Sequence, residues 1–447
     1  MNLRAGKRAL VALASSLTLT VGTLGIMSAP AQAAEGDTTS RGVTIPAFYN
    51  PPANLPAKNG SVIRTESIKP FLALPGVSAL PDKAQRIMFK TTDAANKPAA
   101  VTGVYIEPTK KWSGKGSRPL VVVAPGTMGQ GDQCATSLNV ENPLIMDLSG
   151  GTLSVGYELI TVYAMLNEGF GVMLTDYIGL GATDRPHTYM NRVDQGHTVN
   201  DAARAALSLS GTSLKSNSKV GFHGYSQGGG ASAAAAELQP TYAPELNLVG
   251  AYAGAPPADL LKTVPGIDGS LLAVALGWAI NGMMHYNPEL TPTVDQYMND
   301  KGKKVLNDAL TSCVPDGSMS NPFTKTTQLT KAGISLEQVI NQEPAIKAVV
   351  DAQRIGKIKP KVPVRVATGT ADDTVPHKQS RQLAVDWCKA KANVTYTPVI
   401  LPNLGNKTVL NHIPPMLVDL PAATSWMKDR FAGKKATSNC LVLPIMP

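Results

Sequence analysis

Charge is scarce in this sequence: only 16% of its 447 residues are Asp, Glu, Lys or Arg, and 43% are apolar. That balance excludes wholesale disorder, which needs the opposite composition, and leaves enough apolar material for a sizeable core. Aromatic residues are few, at 5%, and the basic residues are neither clustered nor interleaved with them. The pattern of nucleic-acid binding proteins is therefore missing, and no nucleic-acid partner is expected. There are four cysteines, none in a C-x-x-C or H-x-x-x-H pair, so neither a zinc site nor any other metal is expected. Internal repeats are lacking, and low complexity is confined to the alanine run within 231–236. Beyond residue 33 no apolar run approaches the length of about 18 that spans a bilayer, so the mature chain should be soluble.

What the sequence does have begins at its first residue. Arg4, Lys7 and Arg8 precede an apolar stretch over 9–27, which ends in Ser28-Ala29-Pro30-Ala31-Gln32-Ala33. Ala31 and Ala33 supply the small side chains of an A-x-A site, so 1–33 reads as a signal peptide cleaved after Ala33. An uncleaved anchor is the alternative, but Ser and Thr interrupt the stretch and favour export to the extracellular space. Those three cations belong to the formal charge of +9, so about +6 remains after cleavage. A charge of that size allows weak attraction to anionic envelope surfaces. All four cysteines, Cys134, Cys313, Cys388 and Cys440, lie in the exported part, where an even number suggests two disulfides. Three pairings remain open on these grounds.

After an extended arm over 34–61, rich in Pro, Gly, Asn and Thr, short alternating stretches over 63–103 suggest antiparallel hairpins. Leu120-Val121-Val122-Val123-Ala124 is apolar throughout, as a parallel strand covered on both faces must be. Further strands are expected at 169–175, 220–223, 246–252, 363–368 and 395–401. Helices are expected at 159–168 and at 198–210, the second capped by Asn200 or Asp201. Strands alternating with helices make a doubly wound, mostly parallel sheet of the α/β class, with ligands at the carboxyl ends of its strands. The hundred residues or so between the fourth and fifth of these central strands are too many for a loop. They read as a mainly helical cap over 259–361, which divides the core into 62–258 and 362–447. Its apolar run from Leu271 to Ile280 is either a buried cap helix or part of an acyl-chain pocket or lid.

Gly224-Tyr225-Ser226-Gln227-Gly228 has the G-x-S-x-G spacing of a nucleophile elbow. Five residues recur by chance, but here a strand precedes them, and Gly228, Gly229 and Gly230 open a small-residue helix. A serine hydroxyl is a weak nucleophile and needs a histidine base oriented by a carboxylate. In the α/β-hydrolase fold the chain order is Ser, Asp or Glu, then His. Asp372 follows a strand end and is preferred over its neighbour Asp373. His412 lies between the last strand and the last helix, where the base belongs. His377 sits too near Asp372 and is expected to cap the following helix, while His285 precedes the aspartate. His187, His197 and His223 precede the serine and read as structural. The oxyanion hole requires two N–H donors: Gln227 after the nucleophile, and Gly129 or then Thr127 in the glycine loop after the first central strand.

With these motifs in order, the chain resembles the secretory lipase family, the lipase-A-like group of α/β-hydrolases. Pro125-Gly126-Thr127 with Gly131-Asp132-Gln133-Cys134, Asp176-Tyr177-Ile178-Gly179-Leu180-Gly181, and Trp387-Cys388 with Ala392-Asn393-Val394 and Tyr396 carry the resemblance further. It covers roughly 60–440. It implies a triad of Ser226, Asp372 and His412, a helical lid over an acyl pocket, and the pairings Cys134–Cys313 and Cys388–Cys440. Asn411 stands before His412 where an acidic residue or glycine would fit the pattern. The expected activity is hydrolysis of carboxylic esters with apolar acyl chains, glycerides included, through an acyl-enzyme. No cofactor is required, and the expected partners are a lipid or ester substrate and, transiently, lipid interfaces. An acyltransferase or envelope-lipid esterase could use the same triad, and a non-catalytic binding module could retain the fold.

Overall fold

Apolar runs with no polar face can be stable only if both sides are covered, and here they form the centre of a nine-stranded sheet. This computed structural model describes residues 35–71 and 83–447; the expected signal peptide and its cleavage point lie outside them. The strands are β1 (Val62–Ile68), β2 (Lys83–Thr92), β3 (Pro98–Glu107), β4 (Leu120–Ala124), β5 (Gly171–Thr175), β6 (Val220–Tyr225), β7 (Leu248–Gly254), β8 (Val364–Gly369) and β9 (Val394–Val399). Their order is β9-β8-β7-β6-β4-β5-β3-β2-β1. Pairing is parallel from β9 to β5 and antiparallel from β5 through β3 and β2 to β1. The antiparallel portion takes up the hairpins expected at 63–103.

The period-2 geometry of β4 shows how both faces are filled. Leu120, Val122 and Ala124 join one core cluster, while Val121 and Val123 join another. Against the second lie α1 (Leu159–Leu166) and the last helix, Ile413–Phe431; against the first lie α2 (Arg192–Ser208) and α3 (Gln227–Tyr242). The chain leaves β4 for β5 on one side and then returns to β6 on the other. That reversal opens a crevice at the carboxyl ends of β4 and β6.

The start of α2 differs from expectation. It begins at Arg192, where the Asn191 side chain accepts from the amides of Val193 and Asp194. Asn200 and Asp201, expected as caps, lie buried inside the helix. Asn200 donates to Gly196 O and Ala235 O, and Asp201 accepts from the hydroxyls of Thr91 and Tyr242. Polar residues facing inward had hidden the helical period of the first two turns.

Between β7 and β8 run α4 (Leu260–Ile267), α5 (Val274–Tyr286), α6 (Thr291–Tyr297), α7 (Asp300–Ala309), α8 (Val314–Ser320), α9 (Leu336–Gln342) and α10 (Pro344–Ala352). All of them except α6 share a separate core around Trp278, which is fully buried and donates its indole N–H to Ala309 O and Ser312 Oγ. Disulfides join Cys134 to Cys313 and Cys388 to Cys440, the pairing that the resemblance implied. The first ties this helical segment to the loop after β4, where Gly129 pairs with Cys313 in a β-bridge. The arm over 35–61 is less extended than expected: Thr38–Ser40 and Val43–Ile45 form a small hairpin, and Ile45 and Tyr49 are buried. A further helix, α11 (His377–Lys389), follows β8, and the last, Ile413–Phe431, is α12. Among the described residues no helix is long and apolar enough to cross a membrane.

Candidate active site

Ser226 sits at the junction of β6 and α3 with φ 59° and ψ −124°, a backbone conformation that costs a non-glycine residue about 1–3 kcal/mol. The glycines on either side are what allow the turn. A Cβ on Gly224 would fall 2.1 Å from Gly228 O, and one on Gly228 would fall 2.0 Å from Ala124 O. The spacing of the motif is therefore a steric requirement of packing the elbow against β4. The Ser226 amide is held by Gly254 O at 2.9 Å, so β7 fixes the turn from its other side.

The structure brings the three expected side chains together. His412 Nε2 lies 2.9 Å from Ser226 Oγ, and His412 Nδ1 lies 2.7 Å from Asp372 Oδ2. Asp372 uses its other oxygen to accept the amides of Thr374 and Val375, both at 3.0 Å, which leaves Oδ2 aimed at the ring. Asp373 faces away and accepts the Lys407 amide. Tyr225 OH donates to His412 O at 2.7 Å, so the residue beside the serine also fixes the histidine backbone. Asn411 is buried and holds the 403–412 loop together: its amide donates to Asn403 Oδ1 and Gly405 O, and its oxygen accepts from Leu404 N.

The other histidines are engaged elsewhere. His377 does not cap α11 as expected; it is the first residue of that helix, and its Nε2 meets Tyr396 OH at 3.1 Å. Proline at the preceding position removes the usual capping geometry. His285 lies on α5, its pKa lowered by burial. Burial takes His223 down to about 3, and it stacks on Tyr252 with ring centroids 4.4 Å apart. His197 meets Thr92 O and stacks on Tyr242. His187 is held near 4 by burial; Nδ1 meets Ile178 O, which leaves Nε2 to accept from the Gln227 side chain at 3.2 Å.

The two loop candidates for the second oxyanion donor, Gly129 and Thr127, are placed differently. Gly129 is drawn away into its pairing with Cys313, where a Cβ would meet Ser312 O at 2.4 Å. Thr127 instead lines the cavity together with Ser226 and Gln227. Gln227 is the first residue of α3, so its N–H has no partner within the helix and carries the positive end of the helix dipole. No motif or spacing singles out the residues beneath this loop. Glu158 Oε1 accepts Gly126 N at 2.6 Å, Tyr157 OH donates to Thr127 O at 2.8 Å, and Tyr177 OH donates to Pro125 O at 2.7 Å.

The cavity leads from Ser226 into the helical segment and holds about 1630 Å³, counted out to its open mouth. Its walls are almost entirely apolar, with Val264, Leu276, Ile280, Met283, Val305 and Ile340 among them. Within the run from Leu271 to Ile280, Trp278 packs inward while its neighbours line the cavity. Among the described residues no group of three His, Cys, Asp or Glu side chains could hold a metal.

A parallel sheet with a strained serine at the end of a central strand and a histidine–carboxylate pair on the following loops defines an α/β-hydrolase. The chain belongs to the secretory lipase family, whose family model matches residues 144–439. It is 27% identical over 401 residues to a probable inactive lipase of Mycobacterium tuberculosis, covering 88% of this chain and 83% of that one. It is also 27% identical over 410 residues to lipase 2 of Candida albicans, covering 88% and 82% respectively. In structure it resembles Candida antarctica lipase A in its closed state, with a TM-score of 0.72 at 21% identity over 88% of this chain and 87% of that one. By class it is a carboxylic ester hydrolase.

Proposed function

We propose that this protein is an extracellular esterase or lipase that cleaves carboxylic esters of apolar acyl chains through an acyl-enzyme on Ser226. The observation that carries this is the continuous path from Asp372 through His412 to Ser226 Oγ, opening into a large apolar cavity. His412 Nε2 takes the serine proton as Oγ attacks the ester carbonyl, and Asp372 holds Nδ1–H and balances the imidazolium. The N–H groups of Gln227 and Thr127 receive the developing oxyanion. His412 then protonates the leaving alcohol and activates the water that releases the acid. The cavity accommodates the acyl chain, and the helices over 259–361 act as its cap. Glycerides fit these requirements, and secreted triacylglycerol lipases of Malassezia are among the relatives. Export is proposed with cleavage after Ala33.

One relative is a probable inactive lipase, which keeps a non-catalytic reading in play. A single comparison decides between them. Hydrolysis of p-nitrophenyl butyrate by the purified protein should fall by about 10⁴-fold or more in Ser226→Ala, with an unchanged circular dichroism spectrum. Equal rates in the two proteins, or none in either, would remove the catalytic reading.

A further inference from the structure

The loop that supplies Thr127 is pinned from below at three consecutive residues. Tyr177 OH donates to Pro125 O at 2.7 Å, Glu158 Oε1 accepts Gly126 N at 2.6 Å, and Tyr157 OH donates to Thr127 O at 2.8 Å. The Thr127 side chain is held as well, with Oγ1 2.8 Å from Tyr189 OH. Between the held Gly126 N and the held Thr127 O lies the peptide unit that carries the Thr127 N–H, and Thr127 lines the cavity. Its two flanking bonds fix the rotation of that peptide plane, and so the direction in which the Thr127 N–H points.

Of these contacts the one from Glu158 is unusual. The carboxyl is buried, and its partners are neutral: the Gly126 N–H and the Thr161 hydroxyl. The ionisable groups facing it are the phenols of Tyr157 and Tyr177, which donate elsewhere. Burial pushes Glu158 up to about 7, so ionising it in place works against the stability of the fold. A glutamine or an apolar residue would fill the same space without that penalty. Steric constraint reinforces the point, since a Cβ on Gly126 would meet Tyr157 OH at 2.6 Å and Glu158 Oε1 at 3.2 Å. The loop and the Tyr157–Glu158 pair are thus built to fit each other closely, at the place where negative charge develops during the reaction.

We propose that Glu158 is a positioning residue for catalysis: by accepting the Gly126 N–H it holds the Gly126–Thr127 peptide so that the Thr127 N–H points at the oxyanion. The inference rests on the reading of Ser226 as nucleophile and adds to it a residue that touches neither substrate nor triad. A loose Thr127 N–H would leave the ground-state ester bound as before and fail only the tetrahedral intermediate, so the effect belongs in kcat.

The test compares wild type, Glu158→Gln and Glu158→Ala on p-nitrophenyl butyrate, with thermal melting of each. Glutamine keeps an acceptor oxygen but not the charge, and should lower kcat about tenfold; alanine removes the acceptor and should lower it about a hundredfold or more. KM should stay within about twofold in both, and affinity for a boronic-acid mimic of the tetrahedral intermediate should fall in step with kcat. Glutamine is close to isosteric, so it carries the test if the alanine variant does not fold. Wild-type kcat in Glu158→Gln and in any folded Glu158→Ala overturns the inference. So does a parallel loss of kcat and of Tm with mimic affinity unchanged, which is the mark of a purely structural residue. An inactive wild type fails the reading of Ser226 instead, and is told apart because it precedes any comparison of variants.

Discussion

At the scale of single residues the site is a set of choices between near neighbours, each settled by a hydrogen bond. Asp372 and Asp373 are adjacent, yet one oxygen of Asp372 is taken by the amides of Thr374 and Val375 and the other by His412. Asp373 holds the Lys407 amide. Asp372→Asn is therefore expected to lower kcat by about 10⁴-fold through the wrong imidazole tautomer, and Asp373→Asn by no more than about tenfold. Steady-state rates on a short-chain p-nitrophenyl ester measure both, and a reversal of the two would transfer the orienting role to Asp373. Gly228 is equally constrained, because a Cβ there would sit 2.0 Å from a backbone oxygen that cannot swing aside. Gly228→Ala should cost about 3 kcal/mol in urea unfolding, even though alanine is the better helix former.

At the scale of elements, the segment over 259–361 and the loop over 403–412 are joined by hydrogen bonds. Lys407 reaches the carbonyls of Pro265, Gly266 and Asp268 at the end of α4, and Leu271 N donates to Lys407 O. The histidine-bearing loop and the cavity wall are thus stitched together. Asn411 closes that loop internally, so Asn411→Ala should cost about 2 kcal/mol in stability, seen as a lowered Tm. It should also reduce kcat as His412 loses its anchorage, and an unaltered Tm would show the loop to be held by other contacts. Ile280 on α5 faces the cavity. Ile280→Trp is expected to depress kcat/KM for long acyl esters at least about tenfold while sparing butyrate, if the cavity holds the acyl chain. Equal effects on both lengths would place the chain elsewhere.

At the scale of the whole molecule, buried ionisable groups set how stability responds to pH. Burial raises Glu158 and Asp132 to about 7, and Asp176 and Asp194 to about 6. Between the ordinary carboxyl range and pH 7 the folded state holds protons that the unfolded state has released, so stability falls as pH rises through that window. His187 and His223, held down at about 4 and about 3, act in the opposite sense: their contribution is lost on acidification from pH 6.5 downward. Unfolding free energy should therefore peak on the mildly acidic side and decline towards pH 8. For Glu158 alone the shift from 4.5 to about 7 corresponds to about 3 kcal/mol. Urea titrations at pH 5 and pH 8 should show that decline shrinking in Glu158→Gln; an identical decline would mean that Glu158 does not titrate in this range.

The alternation of buried strands and helices, the elbow around Ser226, and the order of aspartate and histidine after it are all legible in the amino-acid order. These are local matters: strand burial shows as uninterrupted apolar runs, and a tight turn shows as glycines at fixed spacing. The start of α2 is not legible there because Asn200 and Asp201 have the side chains of caps, while the partners that hold them inside the helix come from β2 and α3. Only the packed chain sets Thr127 and Gly129 apart, because Gly129 pairs with Cys313, 179 residues beyond its disulfide partner Cys134. It also brought Tyr157, Glu158 and Tyr177 beneath one loop. No spacing encodes that cluster, since each of its hydrogen bonds closes only when the strands and α1 have packed.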